Sequence, residues 1–211
     1  MIGPELRLGL PILSFLMAAD LEAWLAAQPR TSPGMWIKLA KKGSGLVSVT
    51  KSEAVDAALC HGWIDGQQHP YDESRWLTRL TPRRSASIWS QVNRSRALEL
   101  VAGGRMTLAG LAEIEAARAD GRWGRAYAPA RTAEPPIDLN VALNASPAAS
   151  AAFSTLLAAE RYAILHRLAN LKTTAGRARR IAAEIVLLKN AKPGSLGDKP
   201  AVRTRRRAAS A

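Results

Sequence analysis

The sequence predicts an α+β protein, with a small antiparallel sheet in the N-terminal half packed against a helical C-terminal half. Short runs rich in strand-forming residues, bounded by Gly and Pro, occur before residue 82. After Pro82 the apolar residues recur at helical spacing behind Ser and Thr caps. Strands followed by helices, rather than alternating with them, define the class. The length of 211 residues and an apolar content of 47% suit one core-forming unit. We expect an α+β domain over 1–128, a helical part of the same unit over 129–192, and a basic, disordered tail over 193–211.

In order, Pro11 to Phe15 reads as a strand, and Asp20 as the N-cap of a helix through about Ala27 carrying Leu21, Trp24 and Leu25 on one face. Met35–Leu39 and Leu46–Val49 read as two strands of a hairpin around the turn Lys41-Lys42-Gly43-Ser44-Gly45. Thr50 and Glu53 form a capping box, opening a helix that stops at Gly62. Trp63–Gln67 and Arg75–Leu80 are strands, the second alternating as an antiparallel strand with one wet face does. Ser87 or Ser90 starts a helix closed by Gly103-Gly104, and Thr107 starts one closed by Asp120-Gly121. Residues 124–146, with Pro129, Pro135 and Pro136, read as an irregular connector. Ser146-Pro147 then opens a helix, and two more follow near 160–170 and 174–191.

Charge and cysteine usage narrow the function. The net charge is +13, of which Lys199, Arg203 and Arg205 to Arg207 against Asp198 supply +4 in the tail. Such a balance attracts anionic partners. Cys60 is the single cysteine, so no internal disulfide and no Cys-based zinc cluster forms, and a reducing, cytoplasmic location is expected. The apolar stretch Leu8–Ala19 is interrupted by Pro11 and too short to span a bilayer, so no membrane span is expected.

Two constellations stand out. In Leu59-Cys60-His61-Gly62-Trp63-Ile64-Asp65-Gly66, Cys60 reads as a buried structural thiol and His61 as a cation at a helix C-terminus. Asp65 has no evident structural duty; it either accepts hydrogen bonds from the amides of the turn or faces a ligand, where it could also act as a general base. The run from Arg75 to Leu98 holds Arg75, Arg79, Arg83, Arg84, Arg94 and Arg96, interleaved with Trp76 and Trp89, and contains no carboxylate. Guanidinium forks match phosphate oxygens, and a helix N-terminus offers amides to an anion. The candidate ligand site is therefore Trp63, Asp65, Arg83, Arg84, Ser87, Trp89, Ser90 and Asn93. Arg83 and Arg84 neutralise the anion, Ser87, Ser90 and Asn93 supply hydrogen bonds, and the two indoles wall the pocket. Lys41-Lys42-Gly43 lacks the P-loop frame, and no zinc spacing or dinucleotide fingerprint occurs, so neither a metal nor a cofactor is expected. Arg177-Ala178-Arg179-Arg180 and the tail offer a second partner class, nucleic acid.

Several blocks carry a resemblance. They are Trp36-Ile37-Lys38, the Lys41–Gly45 turn, Ala58–Gly66, Thr81-Pro82-Arg83-Arg84, Ser87–Asn93, Gly104-Arg105-Met106-Thr107 and Asp120-Gly121-Arg122-Trp123. Together they resemble the bacterial YdeI/OmpD-associated, or bacteriocin-protection, family over roughly residues 10 to 192. The resemblance implies a cytoplasmic stress-tolerance protein linked to protection against bacteriocins and antimicrobial peptides, with no reaction assigned. Where that family shows Glu-Thr-Arg, this chain has Ala175-Gly176-Arg177, and only the arginine matches. The expected function is non-catalytic binding of an anionic small ligand or an acidic partner. Nucleic-acid binding through the basic helix and tail, and an enzyme using Asp65, stand as alternatives.

Overall fold

Leu8 (φ 51°) and Gly9 (φ 75°) reverse the chain between β1 (Leu6–Arg7) and β2 (Leu10–Leu13). Two successive positive φ values give the tight turn whose twist matches an antiparallel pair. A computed structural model describes residues 5–190; the expected basic tail lies outside them. The chain divides into two compact units, Met1–Ala128 and Pro129–Ala211.

In the first unit, β2 continues through α1 (Ala18–Ala26) to β3 (Met35–Ala40), which lies parallel to it. β3 pairs antiparallel on its other side with β5 (Arg75–Pro82), and β5 with β4 (Trp63–Pro70), giving the order β1-β2-β3-β5-β4. The sheet is thus mixed, not purely antiparallel. The expected hairpin partner Leu46–Val49 is no strand. The basic turn forms (Ser44 N–H to Lys41 O, 3.2 Å), but the returning segment bonds elsewhere: Val49 N–H donates to Phe15 O (3.0 Å), and Ser48 Oγ accepts from Ala40 N–H (2.9 Å). Both edges of β3 are already occupied by β2 and β5, which leaves no ladder for a hairpin. Asp20 also falls inside α1, whose N-cap is Met17.

α2 (Lys51–Cys60) starts on the expected capping box: Thr50 Oγ1 accepts from Glu53 N–H (3.2 Å), and the Glu53 carboxylate accepts from Thr50 N–H (2.7 Å). One face of α2 joins Leu21, Leu25, Ile37 and Leu80 in the sheet core through Ala54, Ala57 and Ala58. Its Leu59–Cys60 end joins a second core with α3 (Gln91–Ala102) and α4 (Leu108–Ala119), around Trp89, Leu100 and Ile114. Gly62 (φ 74°) turns α2 into β4, and a Cβ there would meet Ala109 O at 2.9 Å, so both conformation and space select glycine.

The second unit is helical: α5 (Ile137–Asn144), α6 (Pro147–Thr155), α7 (Ala158–Ala169) and α8 (Thr174–Asn190) enclose a core of Leu139, Phe153, Leu165, Leu168 and Ile181. α5 replaces part of the expected connector. Pro135 and Pro136 do not break this helix; Pro136 is its N-cap, where a missing N–H has no consequence. Pro147 sits in the first turn of α6, as expected.

Candidate functional site

The loop leaving β5 begins with Arg83, whose N–H donates to Gly62 O (2.9 Å) and ties it to the turn ahead of β4. Arg83 is only 3% exposed. Its guanidinium lies 3.5 Å from the centroid of the Trp89 indole, and Nη1 donates to Ile88 O at 3.3 Å, a long contact for a hydrogen bond. Nε and Nη2 are buried with no hydrogen-bond partner among the described residues. Burial pulls this group down to about 10, opposed by Glu113 and reinforced by Arg122, so it remains a cation at neutral pH. The buried Glu113 is itself ion-paired to the exposed Arg30.

Around this stack the loop is well fixed. Trp89 meets Trp123 edge-on (centroids 4.8 Å apart, planes at 65°), and its Nε1 is also buried without a partner among the described residues. Arg122 donates to Asp120 Oδ2 (2.6 Å) and, through Nη1, to Ser87 O (2.8 Å). Tyr127 N–H donates to Trp89 O (3.0 Å), and Gln91 N–H donates to Tyr127 O (2.8 Å).

The candidate residues do not all converge. Arg83, Ser87 and Trp89 share the loop, and Arg84 stands exposed beside them. Ser87 Oγ accepts from Arg84 N–H (2.9 Å), and Ser90 Oγ accepts from Asn93 N–H (3.0 Å), so each hydroxyl already caps its own turn. The first-turn amides of Gln91 and Asn93 are therefore engaged inside the protein. Trp63 is buried in the sheet core, edge-on to Trp24 at 5.8 Å, in a different cluster from Trp89. Asp65 has a structural partner after all: Lys51 Nζ donates to its Oδ2 (2.7 Å) and to Thr78 Oγ1 (3.1 Å). His61 caps α2 as expected, but burial pushes its imidazole below its ordinary value, opposed by Glu22, which disfavours the expected cation. Cys60 is buried, and burial raises its thiol.

The arginine run is not one patch either. Arg75 pairs with Asp72 (3.0 Å), Arg94 donates to Trp123 O (3.1 Å), and Arg96 grips the buried Asp56 with two bonds of 2.6 Å. Similarly, Arg177 of α8 holds Asp138 (Nη2–Oδ1 2.9 Å) and Leu168 O (2.6 Å), while Arg180 of α8 and Arg167 of α7 share the buried Glu184 (2.7 and 3.0 Å). The arginine of Ala175-Gly176-Arg177 thus fastens α8 to the start of α5.

One feature had no sequence signal. In the second unit a cleft of about 400 Å³ is lined by Arg131, Pro135, Phe153, Arg161, Tyr162 and Leu165, among others. Its residues come from three separate segments, and no motif links them. Among the described residues no group of three His, Cys, Asp or Glu side chains gathers as a metal site, and no helix is long and apolar enough to cross a membrane.

Fold and site together define an arginine-rich protein made of a mixed-sheet α+β unit and a helical unit. Residues 132–190 match the family described as Bacteriocin-protection, YdeI or OmpD-Associated, which supports the expected resemblance over this segment. Residues 13–113 match a domain of unknown function, DUF8412. Most of the blocks that carry the resemblance, from Trp36 to Thr107, therefore fall under the second match, whereas Ala175-Gly176-Arg177 falls under the first. No curated protein and no solved structure matches the chain.

Proposed function

We propose that this protein serves bacteriocin protection from the cytoplasm as a non-catalytic binder of an anionic small ligand or acidic partner, taken at the Arg83–Asn93 loop. The observation that carries this reading is Arg83 itself. A buried cation is normally paired, because leaving it unpaired is costly. Here two nitrogens of the guanidinium, Nε and Nη2, lack acceptors among the described residues, and the third, Nη1, makes only a long contact to Ile88 O. An anion displacing Ile88 O would meet a guanidinium fork backed by an indole face, with the exposed Arg84 at its rim. Strained or unsatisfied buried polar groups concentrate at functional sites.

The net charge of +13 opposes direct capture of cationic peptides, so protection acts indirectly, through the anionic ligand. Asp65, held by Lys51, is engaged outside this loop. A thermal-shift screen against phosphorylated metabolites, nucleotides and short DNA, comparing wild type with Arg84→Ala, tests the reading. It expects one class of small anion to raise the midpoint, with the shift reduced in Arg84→Ala. Stabilisation by DNA alone, unchanged in Arg84→Ala and lost at high salt, would replace it with a charge-driven nucleic-acid binder.

A further inference from the structure

We infer that the cleft of the second unit is a binding site for an amphipathic organic anion, one acidic head on an aromatic or short aliphatic body. This is independent of the Arg83 loop, because every lining residue lies between 130 and 165, inside the second unit. Three observations converge on it. The volume of about 400 Å³ falls in the range of small-molecule sites. The floor is apolar and formed by core residues: Phe153 and Leu165 are 8% exposed each, so their exposed edges are held rigidly by the packing of α6 and α7. The rim carries Arg131 and Arg161 with no carboxylate among the lining residues.

The two rim arginines differ from their neighbours. Arg167, Arg177 and Arg180 of the same unit are engaged by Glu184 and Asp138. Neither Arg131 nor Arg161 forms a side-chain hydrogen bond or ion pair with another described residue, although Arg161 is half-buried. Tyr162, next to Arg161 on α7, adds an aromatic wall with a polar tip. An apolar floor beneath two unneutralised guanidinium groups recognises a molecule that is itself apolar at one end and anionic at the other. A purely polar anion would leave the floor wetted, and a neutral hydrophobe would leave both arginines without an acceptor.

The experiment is calorimetric titration of the full chain with 2-naphthoate, and with neutral 2-naphthamide as control. Three proteins are compared: wild type, Arg131→Gln/Arg161→Gln, and Ala158→Trp, which fills the cleft from the exposed first turn of α7 without removing charge. Each variant is first shown to melt at the wild-type temperature. The expected result is naphthoate binding that exceeds amide binding, falls about tenfold or more in the double variant, and is lost in Ala158→Trp. No naphthoate binding to wild type at millimolar concentration would overturn the inference. So would binding that survives in Ala158→Trp. Either failure leaves the Arg83 reading untouched, since no residue of that loop is altered.

Discussion

The Arg83 guanidinium lies 3.5 Å from the centroid of the Trp89 indole, buried and outside any ion pair among the described residues. A buried charge without an ionic partner is expected to cost stability. Arg83→Met removes an unpaired buried charge while keeping most of the stem that packs on the indole. Replacing buried ionic groups by apolar ones of similar volume is often neutral or stabilising by about 1–4 kcal/mol. Urea unfolding should therefore show Arg83→Met as stable as wild type or more so. Trp89→Ala, in contrast, removes the centre of the α3–α4 core and should cost about 3–5 kcal/mol. A large loss in Arg83→Met would make Arg83 a structural residue.

Gly62 tests the turn that positions this loop, since its carbonyl accepts the Arg83 N–H. Gly62→Ala forces φ 74° on a β-carbon and drives it against Ala109 O. A left-handed non-glycine residue alone costs about 1 kcal/mol or more. Gly43→Ala, at φ 80° but facing open space, isolates that share. The Gly62 variant should lose more stability than the Gly43 variant by denaturant midpoint, and equal losses would contradict the close packing of α4 on the turn.

The Lys51–Asp65 pair is partly exposed at both side chains, so its contribution is modest. A double-mutant cycle of Lys51→Met and Asp65→Asn should return a coupling of about 0.5–1 kcal/mol. Zero coupling would return Asp65 to the list of residues with no structural duty and revive its candidacy as a base.

Acid sensitivity of the second unit follows from Asp138. The Arg177 guanidinium, its hydrogen-bonded partner, holds this carboxyl below the ordinary value of 3.8. A depressed folded value means the stabilisation is complete above 3.8 and is lost as pH falls through the lower, folded value. Melting of the second unit should therefore drop steeply below the ordinary carboxylate range. Arg177→Ala should lower its midpoint at neutral pH and flatten that acid dependence. An unchanged acid profile in Arg177→Ala would remove the pair from the stability of the α5–α8 contact.

What could be read in the sequence was local. Thr50, Ser90 and Thr107 each cap the helix their spacing announced, and Gly62 ends α2 where its missing side chain is required. The non-local choices were not legible. Nothing in Leu46–Val49 says that both edges of β3 are already taken by β2 and β5. Pro135-Pro136 looks the same before a helix as inside a loop. Arginine gives no local sign of its partner either: Arg96 reaches Asp56 across forty residues, whereas Arg83 reaches only its own loop. Of the candidate residues, Arg83, Ser87 and Trp89 share one loop, whereas Trp63 packs in the sheet core and Asp65 pairs with Lys51, placements that depend on non-local contacts.

The most direct measurement is a calorimetric titration of a panel of small phosphates and carboxylates into wild type and Arg83→Met at fixed ionic strength. The account predicts that at least one anion binds wild type, and that Arg83→Met, folded and no less stable, binds it at least about tenfold more weakly. Equal affinity in the two proteins, or no anion binding to wild type, would contradict an anion site at Arg83.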